Sequence, residues 1–462
     1  MTHIKIVLLL AILPLAFHPT FAGFMRNVRD FGAAGDGKTK DTAAIQKAID
    51  AGGIIHFPPG IYLSGTLYLK SNGGLDLAPG ALLLASPDRA DYNDDKFCPQ
   101  NQTNYSPSEQ VSGAHFIVAV GQHDIVIRGG GTISGNQSAF YRAFDKVGPR
   151  MGWTANKLLQ GWRPSQMVYI TESDRVTVHD VRLIDPPYWT LYLFGCRDVA
   201  VDRVRIDMPF FSRNGDGISI DSCRNVTVAN CNITSGDDAL VIRSCDFRLP
   251  RPQPLENVVI NNCILNTFCY GVRVGVGDAP IRNVQISNII CRARIAVWVG
   301  PYFGREKLIE DCVFSNWLID AEQGIRIVPR PLKRPAETLA IRNLVFRNFS
   351  GTVALAAEMM PNIPCSNIQL SNFNLRLRKV DRNRCYYEKD PVWRAPFIAA
   401  GIDKLRLDNI RLIWENPESS FTRPTVIRCP GAQIRDCDFG GAPMSSTPSG
   451  HGETIRRNEK QK

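Results

Sequence analysis

Short runs of alternating apolar and polar residues recur along most of this chain. Each run pairs two brief segments across an Asn, Asp or Cys. Examples are DIVIRGGGTISG from Asp124, RVTVHDVRLID from Arg175, DVAVDRVRID from Asp198, NVTVANCNI from Asn225, NVVINNCIL from Asn257 and NVQISNIIC from Asn283. Later copies begin at Lys307, Asn343, Asn367 and Lys404. A period of two with β-branched residues on one side predicts strands with a single buried face. Neither heptads nor long helical patterns occur in this region. The copies starting at 198, 225, 257 and 283 are spaced by roughly one coil of a solenoid. The expected architecture is therefore all-β, a parallel β-helix in which each coil covers its neighbour's edge. Asn230, Asn262, Asn288 and Asn348 stand at strand ends. Asn tolerates left-handed backbone, so these positions suit tight turns, and stacked side chains can bond from coil to coil.

One segment breaks the pattern. KTKDTAAIQKAIDAGG, Lys38 to Gly53, places Ala44, Ile45, Ala48 and Ile49 at helical spacing and ends in glycines. A solenoid needs its first coil covered. This helix is the expected N-terminal cap.

The N-terminus has the layout of an export signal. Lys5 precedes an apolar run from Ile6 to Phe17, interrupted by Pro14, and Thr20-Phe21-Ala22 resembles a cleavage site. The run is short for a membrane span. The expected organisation is a signal peptide at 1–22, a β-helix at 23–440 and a polar C-terminal tail at 441–462. The product would be secreted or periplasmic, monomeric and without a membrane span after cleavage. The formal charge of +10 suits an acidic polysaccharide partner. Export and the even spread of Lys and Arg argue against nucleic acid. The chain carries 13 cysteines. Cys231, Cys263, Cys312 and Cys437 follow similar strands and are expected to stack inside as a thiol ladder. Cys365, Cys385 and Cys429 are the candidates for bridges. No spacing fits a zinc site, and no cofactor is expected.

Candidate chemistry concentrates in NGDGISIDSCRNVTVANCNITSGDDALVIRS, Asn214 to Ser244. Asp216 and the pair Asp237–Asp238 lie in two Gly-flanked turns one coil apart, so three carboxylates converge. Neighbouring strands lie about 5 Å apart. Two carboxyls at such a distance divide the labour of glycoside hydrolysis: one is kept protonated as acid and the other activates water. Plain polar turns and a calcium site are alternatives at this point.

Several strings together resemble glycoside hydrolase family 28, the polygalacturonase-like glycosidases. They are VRDFGAAGDGKTKDTAAIQKAID from Val28, HFPPGIYLSGTLYLKS from His56, PYWTLYL from Pro187, NGDGISIDS and SGDDALVIRS. The resemblance implies a right-handed parallel β-helix and hydrolysis of pectic polysaccharide with inversion. It implies Asp238 as general acid, Asp216 with Asp237 as activators of water, and Asn214 and Arg243 as substrate-binding neighbours. Two motifs depart from the family. Cys269-Tyr270-Gly271 stands where members carry Gly-His-Gly, and Val297-Trp298-Val299 stands where they carry Arg-Ile-Lys, while a shift of register to Arg294-Ile295-Ala296 recovers the Arg but not the Lys. A uronate clamp is thereby replaced by apolar residues. Trp298 is expected as a stacking wall or as packing, Arg273 as a displaced positive charge, and Tyr270 as a substitute hydrogen-bonding group. The expected substrate is a pectic or related glycan other than simple polygalacturonate, such as a rhamnogalacturonan. A lyase or an inactive carbohydrate-binding solenoid on the same fold is the alternative.

Overall fold

The computed structural model describes residues 24–93, 112–141, 159, 161–208, 214–246, 249–301, 307–329, 339–381 and 393–440. The signal segment, the C-terminal tail and Cys385 lie outside them. Among the described residues the strands pair in parallel throughout, each with its equivalent one coil away. The result is the expected parallel β-helix. Early coils use short strands, such as Leu191–Phe194 and Ile218–Asp221. Later coils bend through their corners as one long strand, as in Ile281–Val299 and Leu308–Ile327.

The interior is built of register-stacked apolar rows. One row runs Ile218, Leu240, Val272, Val297 and Ile325, all buried. Rings stack on rings farther along: Trp317 on Phe349 at 5.5 Å and Phe349 on Phe373 at 4.9 Å. Such rows remove apolar surface from water while every ladder bond is kept. The cap is a helix over Thr42–Asp50, shorter than the segment expected, with Ile45, Ala48 and Ile49 turned into the core. Asp41 closes the turn before it by accepting from the backbone N–H groups of Ala34 (2.7 Å) and Gly35 (3.0 Å).

The outer corners carry the asparagines in left-handed conformation. Asn230, Asn262, Asn288, Asn316, Asn348, Asn372 and Asn409 have φ between +52° and +61°. Each side chain from Asn262 onward donates to its predecessor's Oδ1 over 2.7–3.3 Å.

The thiols need a correction. Cys231 and Cys263 are neighbours in one inward row, but the row continues with Ile289, Trp317 and Phe349. Cys312 belongs to a different row, between Val284 and Leu344. Cys312 follows Asp311, which accepts from Asn343 in a second corner ladder, whereas Cys231 and Cys263 follow Asn230 and Asn262 in the first. Cys365 and Cys429, expected in bridges, are free thiols in buried positions.

Candidate active site

The two aspartate turns meet as the coil spacing predicts, and the register chooses the partner of Asp216. Ile218 pairs with Leu240, and the Gly217 N–H donates to the Asp238 carbonyl at 2.9 Å. Asp216 therefore lines up with Asp238, while the Asp237 N–H donates to Gly215 O at 3.0 Å. The backbone under the pair is pinned from two sides. The Asp237 carbonyl accepts from Ser235 Oγ (2.8 Å) and from Thr267 Oγ1. The Asp216 carbonyl accepts from Thr190 N (2.9 Å) and Thr190 Oγ1 (2.8 Å). Carboxylates on so constrained a backbone have little freedom to drift, which is what a catalytic constellation requires.

Asp216 and Asp237 are buried and Asp238 is half-buried. Burial, and then the charge of Asp237, hold the Asp238 carboxyl well above the usual carboxylate range, and Arg273 opposes this. The shift favours the protonated form of Asp238, whose Oδ1 accepts from the Tyr270 N–H at 3.3 Å. The Cys269 thiol completes the cluster. Its Sγ and the carboxylate oxygens of Asp237 and Asp238 lie within 4.8 Å of one another. Burial and the two carboxylates push this thiol far up, so it stays S–H. A protonated thiol in the cluster departs from the all-oxygen set that calcium takes.

The neighbouring site residues fall into place by register. Asn214, at φ +52°, accepts from Arg163 Nη2 at 2.9 Å. The buried Arg163 also donates to Pro187 O (2.9 Å) and sits over the Tyr188 ring at 4.7 Å. Asn214 therefore anchors the turn that presents Asp216. Arg243 pairs with the fully buried Asp221 (3.2 Å) and covers Trp189 at 4.5 Å. Asp221 also accepts from the Tyr192 hydroxyl (2.7 Å) and the Cys245 N–H (2.7 Å). The sequence reading missed Arg163 and Asp221. Asp221 lies one coil before Arg243, which is a usable signal. Arg163 lies 51 residues before Asn214 with no repeat to connect them.

Arg273 and Trp298 form one outward column with the coil beyond, and Tyr270, paired with Ile295, borders it. Arg273 pairs with Trp298, Trp298 with Arg326, and Arg326 with Glu358. The Arg273 guanidinium lies 3.9 Å from the Trp298 ring centre and that of Arg326 lies 5.1 Å from it. The Tyr270 ring meets the indole edge-on at 4.7 Å. Trp298 Nε1 donates to Val328 O at 2.8 Å, and the residue is only 4% exposed. Trp298 is therefore a packed member of the column rather than an open wall. Arg273 is buried too, its Nη1 donating to Val274 O and Gly300 O, each at 2.9 Å.

Paired carboxyls on a β-helix, with one poised as acid, are the equipment of a glycosidase. The model of glycosyl hydrolases family 28 matches residues 92–390. This chain belongs to that family. A second model, rhamnogalacturonase A/epimerase, pectate lyase-like, matches residues 25–73. That stretch holds the cap and none of the site. A probable polygalacturonase of Vitis vinifera is 28% identical over 381 residues, covering 75% of this chain and 73% of that protein. An exo-poly-alpha-D-galacturonosidase of Dickeya chrysanthemi is 30% identical over 255 residues, covering 46% of this chain and 41% of that protein. The structure of a hyperthermoactive exopolygalacturonase from Thermotoga maritima superposes with a TM-score of 0.60 at 18% identity. It covers 88% of this chain and 92% of that one, a likeness of fold. The family 28 chain is thus a glycosidase. Among its described residues no helix is long and apolar enough to cross a membrane.

Proposed function

We propose that this family 28 glycosidase hydrolyses a pectic polysaccharide with inversion, and that its cleavage subsite is not built for plain polygalacturonate. Asp238 is the general acid, protonating the leaving glycosidic oxygen. Asp216 and Asp237 hold and deprotonate the attacking water. The observation that carries this assignment is the environment of Asp238, a carboxyl raised by burial and by Asp237 beside it, in line with Asp216 one strand away. An acid that stays protonated while its neighbours ionise is the division of labour the reaction needs.

The substrate half of the proposal rests on the column beyond. Where the family's basic clamp is expected, Trp298 is packed between guanidinium groups and Arg273 is engaged with backbone carbonyls. Tyr270 and Cys269 lie against Asp238, and the charges of Arg273 and Arg294 act on this cluster without a hydrogen bond between either guanidinium and Asp238 among the described contacts. Such a subsite suits a neutral, deoxy or decorated sugar, as in a rhamnogalacturonan. Asn214, Arg243 and Arg273 shape it from behind, and Tyr270 borders it. The N-terminal signal pattern supports export to where such polymers occur.

The test is a reducing-sugar screen on polygalacturonate, rhamnogalacturonan and substituted galacturonans, with product anomers followed by NMR. Wild type is expected to release inverted ends, and Asp238→Asn and Asp216→Asn to be nearly silent. Full activity in both variants overturns the site. A marked preference for unsubstituted polygalacturonate overturns the substrate assignment alone. Products absorbing in the ultraviolet would identify a lyase instead.

A further inference from the structure

The column that ends at Arg326 and Glu358 has a property the catalytic reading does not use. Arg326 carries five N–H donors, and among the described residues none of them makes a hydrogen bond. Its Nε is buried without a partner. Its nearest acid is Glu358, at 3.6 Å, beyond hydrogen-bond length. The side chain is nevertheless held, stacked 5.1 Å from the Trp298 ring centre. Trp298 is fixed in turn by Val328 O and by Arg273. Arg273 and Trp298 are shut away, but the Arg326 side chain is 23% exposed. It is the first cation of the column that solvent reaches. A guanidinium left with open donors on a rigid aromatic platform is costly unless something outside completes it.

We propose that Arg326 is the carboxylate-reading residue of a remote subsite, binding a uronate in the glycan chain away from the bond being cleaved. The path from the acid is continuous. Asp238 accepts from Tyr270 N, Tyr270 meets Trp298, and Trp298 meets Arg326. Three strand spacings, about 14 Å along the axis, separate the coils of Asp238 and Arg326, so a neighbouring sugar is read rather than the one cleaved. The planar fork matches a carboxylate in two parallel bonds. Glu358 is the counter-charge that such a ligand displaces. This assignment rests on the proposed polysaccharide substrate, and it adds a carboxylate contact away from the cleavage subsite.

The test is equilibrium binding, measured by calorimetry in the Asp238→Asn background so that the probe is not consumed. Oligogalacturonides of defined length are compared with the same oligomers after carboxyl reduction. Arg326→Gln is expected to weaken the acidic oligomer about 10–100-fold and to leave the reduced one unchanged. Arg326→Lys falls between, because an ammonium lacks the fork. Glu358→Gln, which keeps Arg326, is expected to tighten the acidic oligomer. Equal effects of Arg326→Gln on both oligomers, or weaker acidic binding in Glu358→Gln, overturn the proposal. A protein that binds through Arg326 yet, with Asp238 intact, releases no reducing ends supports this subsite and overturns only the hydrolase reading.

Discussion

The corner that carries the asparagines and the face that carries the aspartates are built from the same coils by opposite rules. At the corner the residue type repeats: Asn262, Asn288, Asn316, Asn348, Asn372 and Asn409 each donate to the one before. On the outward column of the site face the residue changes at every step, through Tyr192, Ser219, Val241, Arg273, Trp298, Arg326 and Glu358. A solenoid is stabilised by each coil matching its neighbour. Identical residues in register are the simplest match, so repetition marks the parts that hold the chain together. A sugar polymer lying across the coils presents a different group at each, and a surface that meets it has to vary. Repetition is thus a sign of structure at this corner, and the varied column is the one that carries the guanidinium proposed to read the substrate.

The sharpest test of this contrast is at Asp238. Replacing it by Asn is expected to lower kcat about 10²–10⁴-fold, the usual worth of a general acid. The expected effect on stability has the opposite sign. A carboxyl raised in the folded protein contributes stability below its ordinary value near 3.8, and this is lost as pH rises through the raised value. The variant escapes that penalty and unfolds at a higher temperature than wild type at neutral pH. The wild-type rate itself falls on the alkaline side as Asp238 loses its proton, and a pH–rate profile locates that limb. A variant both inactive and less stable would place Asp238 with the structural residues.

Lys307 makes the same point behind the site. It is 1% exposed, its Nζ has no hydrogen-bond partner among the described residues, and burial brings it down to about 7. A lysine lowered from 10.5 contributes full stability above that value and loses it as pH falls toward 7. Lys307→Met is therefore expected to stabilise by about 1–4 kcal/mol at pH 6, with the gap closing toward pH 10.5. Thermal unfolding at the two pH values measures it. A gain that does not depend on pH would show that packing, not charge, is at stake.

The smallest effect is expected at the corner. Asn288→Ala strains a φ of +56° and breaks two ladder bonds, those to Asn262 (3.1 Å) and from Asn316 (3.0 Å). The cost is about 1–3 kcal/mol, less for Asn288→Gly, with kcat/KM per folded molecule unchanged. A change in substrate preference at this corner would break the division between repeating and varying rows.

How much was legible follows the same line. The strands, the cap and the left-handed asparagines could be read because each depends on a pattern of period two, helical period or turn chemistry within a few residues. The three aspartates could be read because their turns are one coil apart. The row of Cys312 was misplaced, and Arg163 and Asp221 were overlooked. Trp298 was legible as a departure from the family motif, but whether it was wall or packing was not. That depended on Arg273 and Arg326, contributed by the coils on either side.

The sequence by itself determined the solenoid and the meeting of its aspartate turns, because both rest on local periodicity and on residues held at one coil's spacing. Only the tertiary structure decided the exact register, which aligned Asp216 with Asp238 and stacked Arg326 on Trp298. Coils vary in length at their loops. The residue that faces another across a strand spacing is therefore chosen by the hydrogen-bond ladder and by packing of the interior rows, neither of which a count along the chain can supply.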